Sequence, residues 1–116
     1  MDSPLQTKSF LFATRIINLA RNIKQTYNEY DVSRQIIKSG TSIGANIRES
    51  RNAQSPTDFI SKLSIALKEA DETQYWLELI NACGMMSDED FNQANAELKE
   101  IIAMLTSSIK TVKNKL

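Results

Sequence analysis

Ser39-Gly40-Thr41-Ser42-Ile43-Gly44-Ala45-Asn46-Ile47-Arg48-Glu49-Ser50 is the stretch whose reading decides the fold. Two glycines among small hydroxyl residues suggest a loop that cradles phosphate. The specifics oppose it: the Lys-Ser/Thr ending of a Walker motif is missing and no strand-like run precedes the glycines. Ile36, Gly40, Ile43 and Ile47 instead recur at helical spacing, with Gly44 beside them. A glycine inside a helix costs about 1 kcal/mol relative to Ala. Two of them therefore point to a neighbouring helix that comes closer than a Cβ would allow. Ser39, Ser42, Asn46 and Glu49 form a polar flank able to hydrogen-bond to an adjoining helix or subunit, and Asn46 and Glu49 read as structural rather than catalytic. On the outward side Arg34, Lys38 and Arg48 align as a short basic stripe, the one candidate contact for nucleic-acid phosphates.

The segments on either side carry the same period. Ser3-Pro4 reads as a helix start, with Ser3 as N-cap and Pro4 at the first helical position. Leu5, Phe12, Ile16, Leu19, Ala20, Ile23 and Tyr27 follow on one stripe, flanked by Phe10 and Ile17, and predict a first helix over about residues 5–27. Asn28-Glu29-Tyr30-Asp31 interrupts the pattern, and Asp31 is placed to cap a second helix over about 32–51. Ser55-Pro56-Thr57-Asp58 combines a Ser cap, a first-turn proline and an acid at capping-box spacing, predicting a third helix over about 56–83. Its core stripe is Phe59, Ile60, Leu63, Ala66, Leu67, Ala70 and Leu77, and Gly84 closes it. Ser87-Asp88-Glu89-Asp90 repeats the start signal before a fourth helix over about 88–115, with Lys110, Lys113 and Lys115 near its negative end. Phe91, Ala94, Leu98, Ile101, Ile102, Leu105, Ile109, Val112 and Leu116 share one face of it. Four amphipathic segments with short connections predict an all-α fold, an antiparallel up-down-up-down four-helix bundle forming one domain over residues 1–116.

Composition narrows the function classes. The 116 residues include 14 basic and 14 acidic ones, so no whole-chain field pulls the protein onto nucleic acid. The charges are unevenly placed: Met1 to Arg51 holds eight basic and four acidic residues, and Asn52 to Leu116 six and ten. Such complementary halves suit helix-to-helix or subunit-to-subunit pairing. Cys83 is the single cysteine, which excludes an internal disulfide framework. No run approaches the roughly 20 apolar residues that span a bilayer, and Met1-Asp2-Ser3-Pro4 lacks the character of a signal peptide, so a cytoplasmic location is expected, with no membrane partner. Three glycines and two prolines leave little material for strand turns.

Catalysis finds little support. The chain has no histidine, which removes the commonest general base and the usual transition-metal ligand. Glu69-x-x-Glu72 is not the Glu-x-x-His pair of a di-iron bundle, Cys83 stands where a small apolar residue would serve, and the four methionines read as core filler. No enzyme activity, cofactor, metal or small-molecule substrate is expected. The third helix carries a different signal: opposite its core stripe lie Ile65, Trp76 and Leu79, with Tyr75 at the edge and Glu72 among them. Apolar residues on both sides of one helix imply that both sides are covered, which predicts a homo-oligomer using this outer face.

Ser42-Ile43-x-x-Asn46-Ile47-x-Glu49, then Asp58-Phe59, then Ile65-Ala66-Leu67-x-Glu69-Ala70-x-Glu72-Thr73-x-Tyr75-Trp76-Leu77, resembles the four-helix bundle proteins encoded in intervening sequences of 23S ribosomal RNA genes. The resemblance follows the second and third helices closely and the outer ones by pattern. It implies a non-enzymatic protein that forms ring-like homopentamers, and it carries over Asn46, Glu49, Glu69 and Glu72 as matched positions. The fold is also similar to the accessory variability determinant of diversity-generating retroelements, which implies binding of RNA or a nucleoprotein through a basic surface, here Arg34, Lys38 and Arg48. The alternative is a purely structural protein-interaction scaffold without nucleic acid.

Overall fold

Ser3, Ser55 and Ser87 each open a helix in the same way: the backbone is extended and the hydroxyl accepts a first-turn N–H, from Gln6, Asp58 and Asp90 respectively. In the computed structural model, which describes residues 3–116, these caps begin α1 (Pro4–Tyr27), α3 (Pro56–Ala82) and α4 (Asp88–Lys113). Met1 and Asp2, part of the polar start noted above, lie outside the described residues. The Asp58 carboxylate accepts from Gln54 N–H at 3.1 Å, so the capping box reaches one residue further back than its usual form. Gly84, with φ of 74°, closes α3: Met85 N–H donates to Ile80 O and Gly84 N–H to Asn81 O, both at 3.0 Å.

The second helix corrects one expectation. α2 spans Tyr30–Ser50 and is capped by Glu29, whose carboxylate accepts from Val32 N–H at 3.2 Å, not by Asp31. The reason lies one residue earlier. Asn28 takes the left-handed conformation, φ 56°, and turns the chain within two residues, so α2 is already under way at Asp31. The Asp31 carboxylate is left to pair with Arg34 at 2.6 Å. Asn28→Ala is expected to cost about 1 kcal/mol and Asn28→Gly nothing, because only the former puts an unassisted Cβ into the left-handed region; thermal unfolding of both variants checks this.

Side-chain pairs fix the helix order. Ser33 Oγ donates to Ala20 O between α2 and α1, Ser39 and Thr73 share a 2.9 Å hydrogen bond between α2 and α3, and Gln74 donates to Asn95 between α3 and α4. Arg15 and Glu97 join α1 to α4. In every neighbouring pair the residue numbers run in opposite senses, as in an antiparallel up-down-up-down bundle, and the diagonal pairs do not meet.

The core follows the predicted stripes with local exceptions. Phe12, Ile16, Ile36, Ile43, Leu63, Leu77, Leu98, Ile101 and Leu105 are buried, as are Ile80 and Thr73, which the third stripe did not include. Tyr27 and Leu116, both placed on stripes, are exposed, because each sits where its helix stops and no further core layer follows. Phe10, expected to flank the core, is also exposed.

The two glycines of α2 differ. A Cβ on Gly40 would lie 2.8 Å from Ile16 Cγ2 and 3.2 Å from Ile16 Cβ, so α1 does approach too closely for a side chain. At Gly44 the nearest atom is Ser9 Oγ at 3.4 Å, an ordinary contact. Gly44→Ala is expected to leave stability unchanged or raise it by up to about 1 kcal/mol through helix propensity, measured by urea unfolding.

Candidate functional site

The polar flank of α2 divides between two roles. Ser42 Oγ donates to Lys38 O and Asn46 Nδ2 to Ser42 O, both within α2. Ser39 and Glu49 reach across to α3: Ser39 through Thr73, Glu49 by accepting from Lys62 Nζ at 3.2 Å. Asn46 therefore stays on its own helix while Glu49 ties two helices together. Glu69 contributes its backbone carbonyl, 2.8 Å from Thr73 Oγ1.

Arg34, Lys38 and Arg48 are all exposed on the outward side of α2. Arg34 is paired with Asp31, whereas Lys38 and Arg48 form no ion pair among the described residues. The latter two stand ten residues apart, about 15 Å along the helix axis. Arg48 and Glu49 border a shallow hollow of about 440 Å³ between α1 and α2, whose walls are Gln6, Ser9, Phe10 and Ala13 on α1 and Thr41, Gly44 and Ala45 on α2. Ser9, Ala13, Thr41, Gly44 and Ala45 are small enough to leave the hollow open, and Phe10 stands beside it with 59% of its surface exposed.

On α3 the outward residues divide by depth. Ile65 is 42% and Tyr75 56% exposed, Glu72 is exposed, and Leu79 and Trp76 are half-buried. Trp76 lies at the flank, packed against the core on one side, with its ring 5.0 Å from that of Tyr75 in an edge arrangement and its Nε1 3.4 Å from Glu72 Oε2. Lys68, Glu69, Asp71, Glu72 and Glu78 form no ion pair among the described residues, so α3 carries unpaired charges of both signs around these apolar side chains.

The structure adds two features. α1 and α4 meet less closely than the other neighbouring pairs and leave a groove of about 770 Å³, spanned by the two-pronged Arg15–Glu97 pair, at 2.9 and 2.7 Å, and by Lys8–Glu100. Phe10 and Leu11 are exposed on α1, and the sequence holds a signal for this: Phe10-Leu11-Phe12 are consecutive, about 100° apart around a helix, so one core cannot take all three. Cys83, read as a substitute for a small apolar residue, is exposed at the end of α3. Met85, Met86 and Met104 pack against the core as filler. Among the described residues no three acid or cysteine side chains converge as metal ligands, and no helix is long and apolar enough to cross a membrane.

Comparison with known proteins bears on most of the chain. A family profile described as 23S rRNA-intervening sequence protein matches residues 2–107. Among solved structures, the chain is similar to the crystal structure of a protein with unknown function from the S23 ribosomal protein family of Bacteroides thetaiotaomicron. The identity is 49% over 91% of this chain and 98% of that one, with a TM-score of 0.90. A comparison with curated protein sequences finds no match.

Proposed function

We propose that this chain, which belongs to the 23S rRNA-intervening sequence protein family, is a non-enzymatic cytoplasmic protein that works by assembling with further copies of itself. The observation that carries the reading is the outer face of α3, where Ile65 and Tyr75 are exposed on the side away from the core. Burying each against a partner would contribute roughly 1–2 kcal/mol. Ring-like homopentamers, implied by the family resemblance, are the form this assembly takes. The absence of any histidine in the sequence supports a role in assembly over one in catalysis.

Light scattering at micromolar concentration tests the proposal. The expected mass is a small multiple of 13.1 kDa, and a mass equal to one chain would sink it. Ile65→Ser with Tyr75→Ser is expected to raise the concentration for half-assembly at least tenfold with unchanged helical content.

A second reading is favoured by Lys38 and Arg48, exposed cations without an acidic partner: an adaptor that binds RNA or a nucleoprotein, as the similarity to the retroelement accessory determinant implies. With three phosphate contacts the logarithm of affinity should fall with the logarithm of salt at a slope of about −2 to −3. Gel-shift titration of structured RNA at low and moderate salt, repeated with Arg34, Lys38 and Arg48 changed to Ala, checks it. No shift at low salt removes this reading.

A further inference from the structure

We infer that the outer α1–α2 face is a track for single-stranded nucleic acid, with an unpaired base stacked on Phe10 over the hollow and the backbone running on toward Tyr30. The inference rests on the nucleic-acid reading above and names the form of the ligand and the surface that takes it.

Two rows of side chains meet on this face. On α1, Phe10, Ala13, Ile17, Arg21 and Lys24 recur three or four residues apart and so share one side of the helix. On α2, Tyr30, Arg34, Lys38, Thr41, Ala45 and Arg48 do the same. The hollow takes its walls from Phe10 and Ala13 of the first row and from Thr41, Ala45 and Arg48 of the second, so both rows flank one seam. The helices are antiparallel. Phe10 and Arg48 stand at one end, and at the other the Lys24 ammonium lies 5.6 Å from the centre of the Tyr30 ring. Phe10 and Lys24 are about 21 Å apart along α1.

The face is positive on balance. α1 contains no acid, and its remaining cations, Lys8 and Arg15, turn to α4. Arg21, Lys24, Lys38 and Arg48 are exposed and form no ion pair among the described residues. The acids that border the seam are engaged: Asp31 pairs with Arg34, Glu49 with Lys62, and Glu29 accepts from the Val32 N–H. Cations left over in two parallel rows suit a chain of phosphates.

The aromatic rings decide between strand and duplex. Phe10 and Tyr30 are both exposed, and phosphates alone would have no use for them. A duplex keeps its bases stacked on one another, whereas a single strand offers base faces that stack on an aromatic ring. The hollow beside Phe10 leaves room for such a base, and Arg48 at its rim meets the adjoining phosphate.

Fluorescence anisotropy of a labelled oligoadenylate, free and annealed to oligouridylate, tests this on the full chain. The single strand is expected to bind more tightly than the duplex. Its affinity should fall with salt at a logarithmic slope of about −3, for contacts from Arg21, Lys24, Lys38 and Arg48. Arg21→Ala with Lys38→Ala should bring that slope to about −1.5. Phe10→Leu keeps an apolar side chain at an exposed site and removes the ring. It should weaken the single strand about fivefold or more and leave the duplex unchanged. Equal binding of strand and duplex, or a Phe10→Leu variant that holds the strand like the unaltered chain, overturns the track and leaves the wider nucleic-acid reading standing. No binding of either probe at low salt overturns both.

Discussion

Gly40→Ala is expected to destabilise the bundle by about 1–3 kcal/mol, read as a lower urea midpoint at unchanged slope. Helix propensity alone would favour the alanine by about 1 kcal/mol, so the sign of the result reports the steric term. The opposing atoms are Ile16 Cγ2, Cγ1 and Cβ, at 2.8, 3.1 and 3.2 Å from the added methyl, close to the α1 backbone and unable to swing aside as the end of a long side chain could. Either α1 and α2 separate or Ile16 leaves its rotamer. Ile16→Ala by itself should cost about 2–5 kcal/mol, since Ile16 is fully buried. The double variant gives the sharper measurement. Truncating Ile16 to alanine removes two of the three clashing atoms, and the methyl added at Gly40 fills part of the cavity, so the combined cost should fall short of the sum by about 1 kcal/mol or more. Additive costs would mean that Gly40 is there for a reason other than Ile16.

That contact shows what could be read from sequence and what could not. Isoleucines at helical spacing around Gly40 and Gly44 signal a thin helix against a neighbour, but which glycine leaves no room for a Cβ depends on the register between helices, and of these two only Gly40 leaves none. Helix starts at Ser3, Ser55 and Ser87 are legible because a serine cap acts within its own first turn. The start of α2 is not, because it depends on Asn28 turning left-handed, which no neighbouring residue announces. Ser39 is legible as part of a polar flank that bonds to a neighbouring helix, but Thr73, the residue that meets it, looks like a surface residue until α2 is packed against it. On the candidate surfaces, the apolar residues outside α3 and the basic row on α2 are properties of single helices and follow from a wheel. The hollow beside Phe10 is a property of two helices, set by their separation and by small side chains on both.

The same dependence on two helices makes Ala66→Leu the most informative change at the α2–α3 seam. Ala66 is fully buried, and it lies between two contacts that hold α3 to α2: Lys62 with Glu49, one turn before it, and Thr73 with Ser39, two turns after. With both sides of the position pinned, the helices cannot part locally to admit three more carbons. The expected cost is about 1–3 kcal/mol by chemical denaturation, although leucine is more apolar than alanine and nearly as good a helix former. Ala103→Leu, on the exposed side of α4, serves as the control and should stay within about 0.5 kcal/mol of the unaltered chain. If Ala66→Leu proves neutral, the seam is loose and the hydrogen bond between Ser39 and Thr73 is not what sets the spacing. If it costs what overpacking predicts, α2 and α3 form a rigid pair.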